Sequence, residues 1–187
     1  MKAYKLFRVK KSEPGKLFPL YVLSDEPTPI GKWLPAKCGE MKDGKVKSKL
    51  GLLAYRPGWH LSDVPIATHI GIKENGVIKY MHDDEVWCEC EFSDAVNYQL
   101  EANRLGTENG KLVPKKAMLR KIPENGYYRY KTNPNMLGDW IIAGAIKVIR
   151  VLSDAEAGRI CREHGITPLP RKHDMNLSEY GFEEVSA

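Results

Sequence analysis

A strictly alternating stretch, EVWCECEF at residues 85–92, places the strongest constraint on how this chain can fold. Alternation with a period of two predicts a β-strand, because successive side chains of a strand point to opposite faces. Glu89 and Glu91 then share one face, and Cys88 and Cys90 share the other. This pattern is typical of a strand that packs one face on a core and leaves its polar face outward.

Other short runs rich in aromatic and branched residues predict further strands. They include YKLFRV at 4–9 and FPLYVL at 18–23, which a Pro-Gly turn separates. Asn75 and Gly76 lie between two alternating runs, and this dipeptide is a strong signal for a β-hairpin. The long apolar run DWIIAGAIKVIRVL predicts one bent strand or two strands, with Gly144 at the bend.

Two stretches predict short helices. AVNYQLEANRL follows Ser93 and Asp94, and either side chain is suited to cap a helix. Ser153 and Glu156 have the S-x-x-E spacing of a capping box. They predict a second helix, which ends at Gly165 because glycine is a common helix terminator.

Together these elements predict one mostly β domain of the α+β class over residues 1–166. A chain of 187 residues, 42% of them hydrophobic, is long enough to bury one core. Beyond TPLPRKH the sequence is polar, and residues 167–187 are predicted to form a loose C-terminal tail.

Cysteine use and hydropathy predict a cytoplasmic protein. The four cysteines are too few and too scattered for a disulfide framework. No uninterrupted apolar run opens the chain as a signal peptide would, and no run of about eighteen apolar residues occurs. We therefore expect neither export nor insertion into a membrane.

The net charge of +5 is unevenly distributed. Lysine and arginine crowd the first fifty residues and residues 115–131, whereas HDDEVWCECEFSD at 82–94 is strongly acidic. A basic surface beside an acidic strand suits a protein that holds a phosphate-bearing ligand next to working carboxylates. An ordinary solvated surface is the competing interpretation.

The pair of carboxylates at Glu89 and Glu91 allows two interpretations. Side-by-side carboxylates repel each other, and a cleft can use that repulsion to raise one pKa for acid–base chemistry. The simpler interpretation is a half-exposed strand whose polar side chains point to solvent.

The corner in LLAYRPGWHLSDVP gathers four side chains that suit a nucleotide pocket. Its Pro-Gly pair sets the direction of the chain on either side. Arg56 offers a planar fork for a phosphate, and Tyr55 and Trp59 offer flat faces for a ring. His60 can donate a hydrogen bond or carry a proton. A buried tryptophan beside a hydrogen-bonded histidine is the alternative.

No metal site is predicted. Cys88-x-Cys90 lacks the two-residue spacer usual in zinc sites, and His60, His69 and His82 show no ligand spacing. The glycine-rich signatures of Rossmann and P-loop proteins and the nucleophile elbow of α/β-hydrolases do not occur either.

Three motifs follow one another in the order found in the ADP-ribosyltransferase fold. They are an arginine on a first strand, Arg8 in LFRV, a glycine-led corner followed by HLSD at 60–63, and the Glu-x-Glu of CECE. On these motifs residues 5–150 resemble an ADP-ribosyltransferase, and the whole chain resembles small proteins carried by bacteriophages and mobile elements. The resemblance implies a split antiparallel β-sheet core with a few short helices, which holds NAD between two small sheets.

The same resemblance implies roles for single residues. Arg8 would contact the phosphates or ribose of NAD, and Ser62 or His60 would support the nicotinamide ribose. Glu91 would stabilise the oxocarbenium-like transition state as nicotinamide leaves, and Glu89 would orient or deprotonate the acceptor. The implied activity is that of an NAD-dependent ADP-ribosyltransferase or an NAD glycohydrolase.

The chain also departs from the family pattern. The family's Ser-Thr-Ser strand is not present as such, and the interval from His60 to Glu91 is short. Some relatives that modify nucleic acids place the acid before a late hydrophobic-Gly-Ala strand, which here would be Asp139 in GDWIIAGAI. The identity of the acid therefore stays open between these carboxylates.

The acceptor would be a macromolecule that meets the basic segment at 115–131. Arg129 and Lys131 share a strand face if YRYK is extended, which would form a phosphate track and favour a nucleic acid. A lysine-rich surface strand is the alternative. The rival function is non-enzymatic: a protein that binds nucleic acid through YYRYKTNP, or one that blocks a host factor.

Overall fold

Residues 1–184, which the computed structural model describes, form an α+β fold of short strands and two α-helices. The strands are β1 (Lys2–Arg8), β2 (Trp33–Pro35), β3 (Met41–Lys42), β4 (Lys45–Ser48), β5 (Gly51–Ala54), β6 (Trp59–Leu61), β7 (Ile72–Glu74), β8 (Val77–Tyr80), β9 (Glu85–Phe92), β10 (Val96–Asn97), β11 (Thr107–Glu108), β12 (Lys111–Leu112), β13 (Gly126–Tyr130), β14 (Trp140–Ala143) and β15 (Ala145–Val151). The helices are α1 (Gln99–Leu105) and α2 (Asp154–Glu163), and short 3-10 helices span Pro114–Lys116 and Leu177–Tyr180.

Two four-stranded sheets form the centre of the fold. The first has the order β1-β9-β15-β2, with all neighbours antiparallel. The second has the order β10-β13-β14-β6, and only its β10–β13 pair is parallel. The alternating stretch at 85–92 forms a strand, as its pattern predicts, and this strand lies in the interior of the first sheet.

The two sheets are joined at two places. Gly144 alone separates β14 from β15, so the apolar run DWIIAGAIKVIRVL forms two strands in different sheets. On the other side, Tyr4 of β1 and Ser62 exchange two main-chain hydrogen bonds, of 2.8 and 2.7 Å. The sheets therefore enclose a shared core, in which Phe7 and Cys88 of the first sheet cluster with Leu61 and other apolar residues of the second.

Helix α2 covers the outer face of the first sheet. The hydroxyl oxygen of Ser153 accepts a hydrogen bond from the Glu156 main-chain N–H at 3.1 Å, so the predicted cap is confirmed. Ile160 of this helix belongs to the same buried cluster as Leu6 of β1 and Trp87 of β9. Because α2 occupies this face of the first sheet, the opposite face is the one that remains available to other groups.

Two expectations about local structure are wrong. Residues 18–23 form no strand, because after a single bridge between Phe18 and Arg8 the chain turns, with Leu23 in a left-handed conformation. Neither Ser93 nor Asp94 caps α1, since that helix begins only at Gln99. The Ser93 hydroxyl instead donates to the carbonyl oxygen of Gly126.

The segment predicted as a loose tail is packed against the domain over the described residues. Leu177 and Phe182 are buried in the main core, with exposed fractions of 3% and 9%. The main-chain N–H of Gly15 donates to the carbonyl oxygen of Tyr180 at 2.7 Å. These apolar residues are spaced singly among polar ones, so the composition of the segment hides its role in the core.

Candidate functional site

A cleft of about 490 Å³ opens beside the Pro-Gly corner. Its walls come from the corner, from the loops at 19–29 and 34–39, and from the segment that leads into β14. Lys5 of β1 and the first residues of β6 also line it, so both central sheets contribute. A volume of this size lies within the usual range of small-molecule sites.

The shape of the corner depends on Gly58. This residue has a φ of 122°, a conformation that L side chains rarely adopt. A Cβ atom here would lie 2.5 Å from Cγ2 of Ile142, so β14 leaves no room for one. The chain therefore turns tightly against β14 and presents Trp59 and His60 on β6 beside the cleft.

Hydrogen bonds fix the two ring side chains that follow the corner. The indole N–H of Trp59 donates to the carbonyl oxygen of Leu34 at 3.0 Å. Nδ1 of His60 donates to the carbonyl oxygen of Gly58 at 3.1 Å, which leaves Nε2 as an acceptor. The His60 ring also makes an edge contact with Trp140, whose ring centroid lies 6.1 Å away.

Two cationic side chains of the cleft have no acidic partner among residues 1–184. Nζ of Lys5 donates to the carbonyl oxygen of His60 at 3.1 Å, and the Arg56 guanidinium lies 5.7 Å from the ring centroid of Tyr130. Within residues 1–184, neither cation forms an ion pair with a carboxylate. A cation in a partly apolar cleft without a counterion favours binding of an anion.

Glu26 is the one acidic side chain that lines the cleft in the described part of the chain. It stands at the rim, where Nζ of Lys37 lies 3.4 Å from its carboxylate. Because Lys37 already neutralises Glu26, the charge of the cleft is positive through Lys5 and Arg56.

Burial alters the titration of the groups at the base of the cleft. Removal from water and, to a smaller extent, the positive charge of nearby Lys5 together lower the pKa of His60 to about 3. His60 is therefore neutral at physiological pH and cannot serve there as a proton carrier. Burial also lowers the pKa of Lys5 to about 8, so a fraction of this amine is neutral under mildly alkaline conditions.

Of the residues predicted to bind a ligand, the structure brings together Tyr55, Arg56, Trp59 and His60. Ser62 does not line the cleft, because it is buried at the β1 junction and its hydroxyl donates to the carbonyl oxygen of Val64 at 2.7 Å.

Arg8 lies elsewhere as well. Its guanidinium donates to the carbonyl oxygen of Leu20 at 2.6 Å and lies 3.7 Å from the carboxylate of Asp84.

The predicted acids lie outside the cleft lining. Glu89 and Glu91 share the outer face of β9, as the alternation predicts. Glu89 is held between Lys2 at 3.0 Å and Arg150 at 3.6 Å, which gives this carboxylate a structural role. Asp139 is exposed just before β14, next to Trp140, whose side chain does line the cleft.

The stretch predicted to contact nucleic acid is largely part of the core. Tyr128 and Tyr130 of β13 are buried, so their faces pack against protein. Arg129 makes two hydrogen bonds to the carboxylate of Asp63, at 2.6 and 3.0 Å. Lys131, just beyond the strand, is exposed.

Sequence reasoning missed Lys5 and Glu26 as residues of the cleft. Lys5 carries a detectable signal, since it shares a strand face with Ala3 and Phe7, both of which are buried. A lysine on the apolar face of a strand needs an explanation that a surface lysine does not. Glu26 lies in a loop, where no periodicity indicates which way a side chain points.

Comparison with known proteins gives no match: no protein-family model fits the chain, and no curated protein or solved structure is similar to it. Neither helix of residues 1–184 has the length and hydropathy required to span a membrane. Within the same residues, no three histidine, cysteine or acidic side chains come close enough together to hold a metal ion.

Proposed function

We propose that the cleft binds NAD or a nucleotide of similar build, and that the protein is an NAD-using ADP-ribosyltransferase or glycohydrolase. Two cations of the cleft, Lys5 and Arg56, form no ion pair within residues 1–184 and lie beside the ring faces of Tyr55 and Trp59. This observation carries the proposal. Cations attract phosphates, and flat aromatic faces accept a base or a nicotinamide ring.

The architecture supports the same proposal. Lys5 belongs to the first central sheet and Trp59 to the second, so a ligand in the cleft would touch both sheets. This agrees with the split-sheet core that the ADP-ribosyltransferase resemblance implies. The neutral ring of His60 would offer Nε2 as a hydrogen-bond acceptor to a ribose hydroxyl.

The enzymatic part of the proposal concerns the bond between ribose and nicotinamide. Its cleavage by water yields nicotinamide, ADP-ribose and a proton, and a macromolecular nucleophile in place of water yields the ADP-ribosylated acceptor. A carboxylate stabilises the cation that develops on the ribose. Glu26 is the carboxylate that the cleft offers, whereas Glu89 and Glu91 face away from it.

Titration of the protein with NAD tests binding. We expect Arg56→Met to weaken binding about tenfold or more, since a charge-assisted contact contributes about 1.5–3 kcal/mol. Arg104, which is exposed on α1, provides the matched control, and Arg104→Met should bind NAD as the native protein does. Absence of NAD binding at millimolar concentration would refute the proposal.

An assay of NAD consumption tests the chemistry separately. With labelled NAD and pools of DNA, RNA and cell protein, label on one pool identifies the acceptor class, and free nicotinamide without labelled acceptor indicates a glycohydrolase. Glu26→Gln should reduce turnover by about a hundredfold or more while NAD still binds. If NAD binds but is never consumed, the protein is a nucleotide-binding module and the enzymatic part is wrong.

A further inference from the structure

Lys5 occupies an unusual position for a lysine. It lies in the middle of β1 on the face that also carries the buried residues Ala3 and Phe7, and its side chain is only partly exposed. Nζ lies 5.5 Å from the ring centroid of Phe7 and 5.6 Å from that of Trp59. The hydrogen bond to the carbonyl oxygen of His60 uses one of its donors and leaves the others directed at no protein acceptor within residues 1–184.

In the described part of the chain, no group packed around Lys5 supplies a negative charge. On β9 the facing groups are the thiols of Cys88 and Cys90, and burial raises the pKa of Cys90 to about 12 and that of Cys88 well above its ordinary value. On β6 the facing group is His60, which is neutral, and the corner adds the positive charge of Arg56. Among these neighbours Lys5 is the group that titrates near neutral to mildly alkaline pH.

We propose that Lys5 binds the phosphate or pyrophosphate group of the ligand, and that its amine takes up a proton when the ligand binds. This inference rests on the proposed function, namely that the cleft binds a nucleotide. Burial lowers the pKa of Lys5 to about 8, and the negative charge of a bound phosphate would raise it again, because an adjacent anion stabilises the protonated amine. The amine would then be fully protonated in the complex, and the proton would come from solvent.

Calorimetric titration with ADP in two buffers of different ionisation enthalpy measures this uptake. At pH 8 and pH 9 the phosphates of ADP are fully ionised, so the ligand itself contributes no proton. We expect uptake of about half a proton per ADP at pH 8 and about 0.9 at pH 9, from the fraction of neutral amine at each pH. Adenosine, which lacks phosphate, should bind without uptake.

Three variants separate the outcomes. Lys5→Met should lose the uptake and bind ADP at least tenfold more weakly, whereas Lys5→Arg should bind ADP with no uptake because arginine is permanently charged. Lys79→Met, which changes an exposed lysine of β8, should match the native protein. Lys5→Arg keeps the test decisive if Lys5→Met does not fold.

The outcomes distinguish failure of this inference from failure of the proposed function. If the native protein binds ADP but Lys5→Met or Lys5→Arg takes up the same number of protons, Lys5 is not the group and the inference is overturned. Equal uptake with adenosine would overturn it as well, because no anion would be involved. If neither ADP nor NAD binds the native protein, the proposed function itself is wrong, and this inference falls with it.

Discussion

The guanidinium of Arg171 donates two hydrogen bonds, each of 2.9 Å, to the carboxylate of Asp154. Arg171 lies in the C-terminal segment and Asp154 in the first turn of α2, so the pair fastens this segment to the helix. The same guanidinium donates to the carbonyl oxygens of His82 at 2.7 Å and Glu85 at 2.8 Å. Only 4% of the Arg171 side chain is exposed.

Arg171→Met should therefore lower the free energy of unfolding by roughly 2–3 kcal/mol, because it removes the charge-assisted hydrogen bonds that this buried side chain donates to two carbonyl groups and a carboxylate. Urea unfolding measures the change. Arg159→Met is the matched control, since Arg159 forms an exposed pair with Glu163 along α2 and should cost less than about 0.5 kcal/mol. Equal losses in the two variants would contradict the anchoring role of Arg171.

The stability of the protein should decrease as pH rises from about 4.5 to about 7 because of Glu85. Burial raises the pKa of this carboxyl from 4.5 to about 7, and the nearby charge of Asp84 raises it too, against the opposing effects of Arg8 and Arg171. Within this window the folded protein keeps a proton that the unfolded chain has released. The resulting loss is roughly 3 kcal/mol and is complete above the folded pKa.

Urea unfolding at several pH values checks this expectation. Glu85→Gln removes the titrating group, so this variant should lack that part of the pH dependence and should be more stable than the native protein at pH 8. The difference between the two proteins cancels the contribution of groups that titrate independently of Glu85. A difference that does not vary with pH would show that Glu85 is ionised in the folded state.

Gly144→Ala should destabilise the fold by about 3 kcal/mol or more. A Cβ atom at this position would lie 1.9 Å from the carbonyl oxygen of Pro123 and 2.8 Å from Cα of Glu124, and main-chain atoms cannot move aside cheaply. Gly158→Ala in α2 is the control, because its new Cβ would lie 3.2 Å from the flexible end of Arg162 and in ordinary contact, at 3.6 Å, with Cγ of Pro168. There we expect a gain of about 0.5–1 kcal/mol from helix propensity, measured by thermal unfolding.

Glu89→Gln and Glu91→Gln should leave the affinity for NAD within about twofold of the native value, because neither side chain lines the cleft. Glu89→Gln should still cost about 1 kcal/mol of stability, since it weakens the contacts with Lys2 and Arg150. Binding titrations and urea unfolding of the same preparations separate the two effects. Loss of NAD binding or NAD consumption in Glu91→Gln would move the active site to the outer face of β9.

The sequence predicts local structure well where one short pattern suffices. The alternation in β9, the Asn75-Gly76 hairpin and the Ser153 cap each depend on a few consecutive residues, and each is present in the structure. The strand predicted at residues 18–23 does not form, because an apolar run alone does not show whether the chain stays extended or turns. Phe18 is the one buried residue of this run, and residues 19–23 are half-buried.

The site is predictable only in part, for a related reason. The corner at 55–60 draws attention because proline and glycine fix its local geometry, but the loops that complete the cleft come from distant parts of the chain. Whether a carboxylate such as Glu89 or Glu26 faces the cleft depends on which side of the first sheet is covered by the loops that complete the cleft. Alternation shows that Glu89 and Glu91 share a face, but it does not show that α2 packs against that side of the sheet.

The junction between Tyr4 and Ser62 also bears on how the protein behaves at high concentration. An unpaired strand edge offers a template on which another chain can add a strand and begin to aggregate. Here β1, an outer strand of the first sheet, is paired with β9 on one side and meets Ser62 on the other, directly after β6, an outer strand of the second sheet. The outer strands at the opposite edges, β2 and β10, are only three and two residues long. Pro35 in β2 also lacks a main-chain donor for a further ladder. The two central sheets thus present little surface for strand addition between molecules.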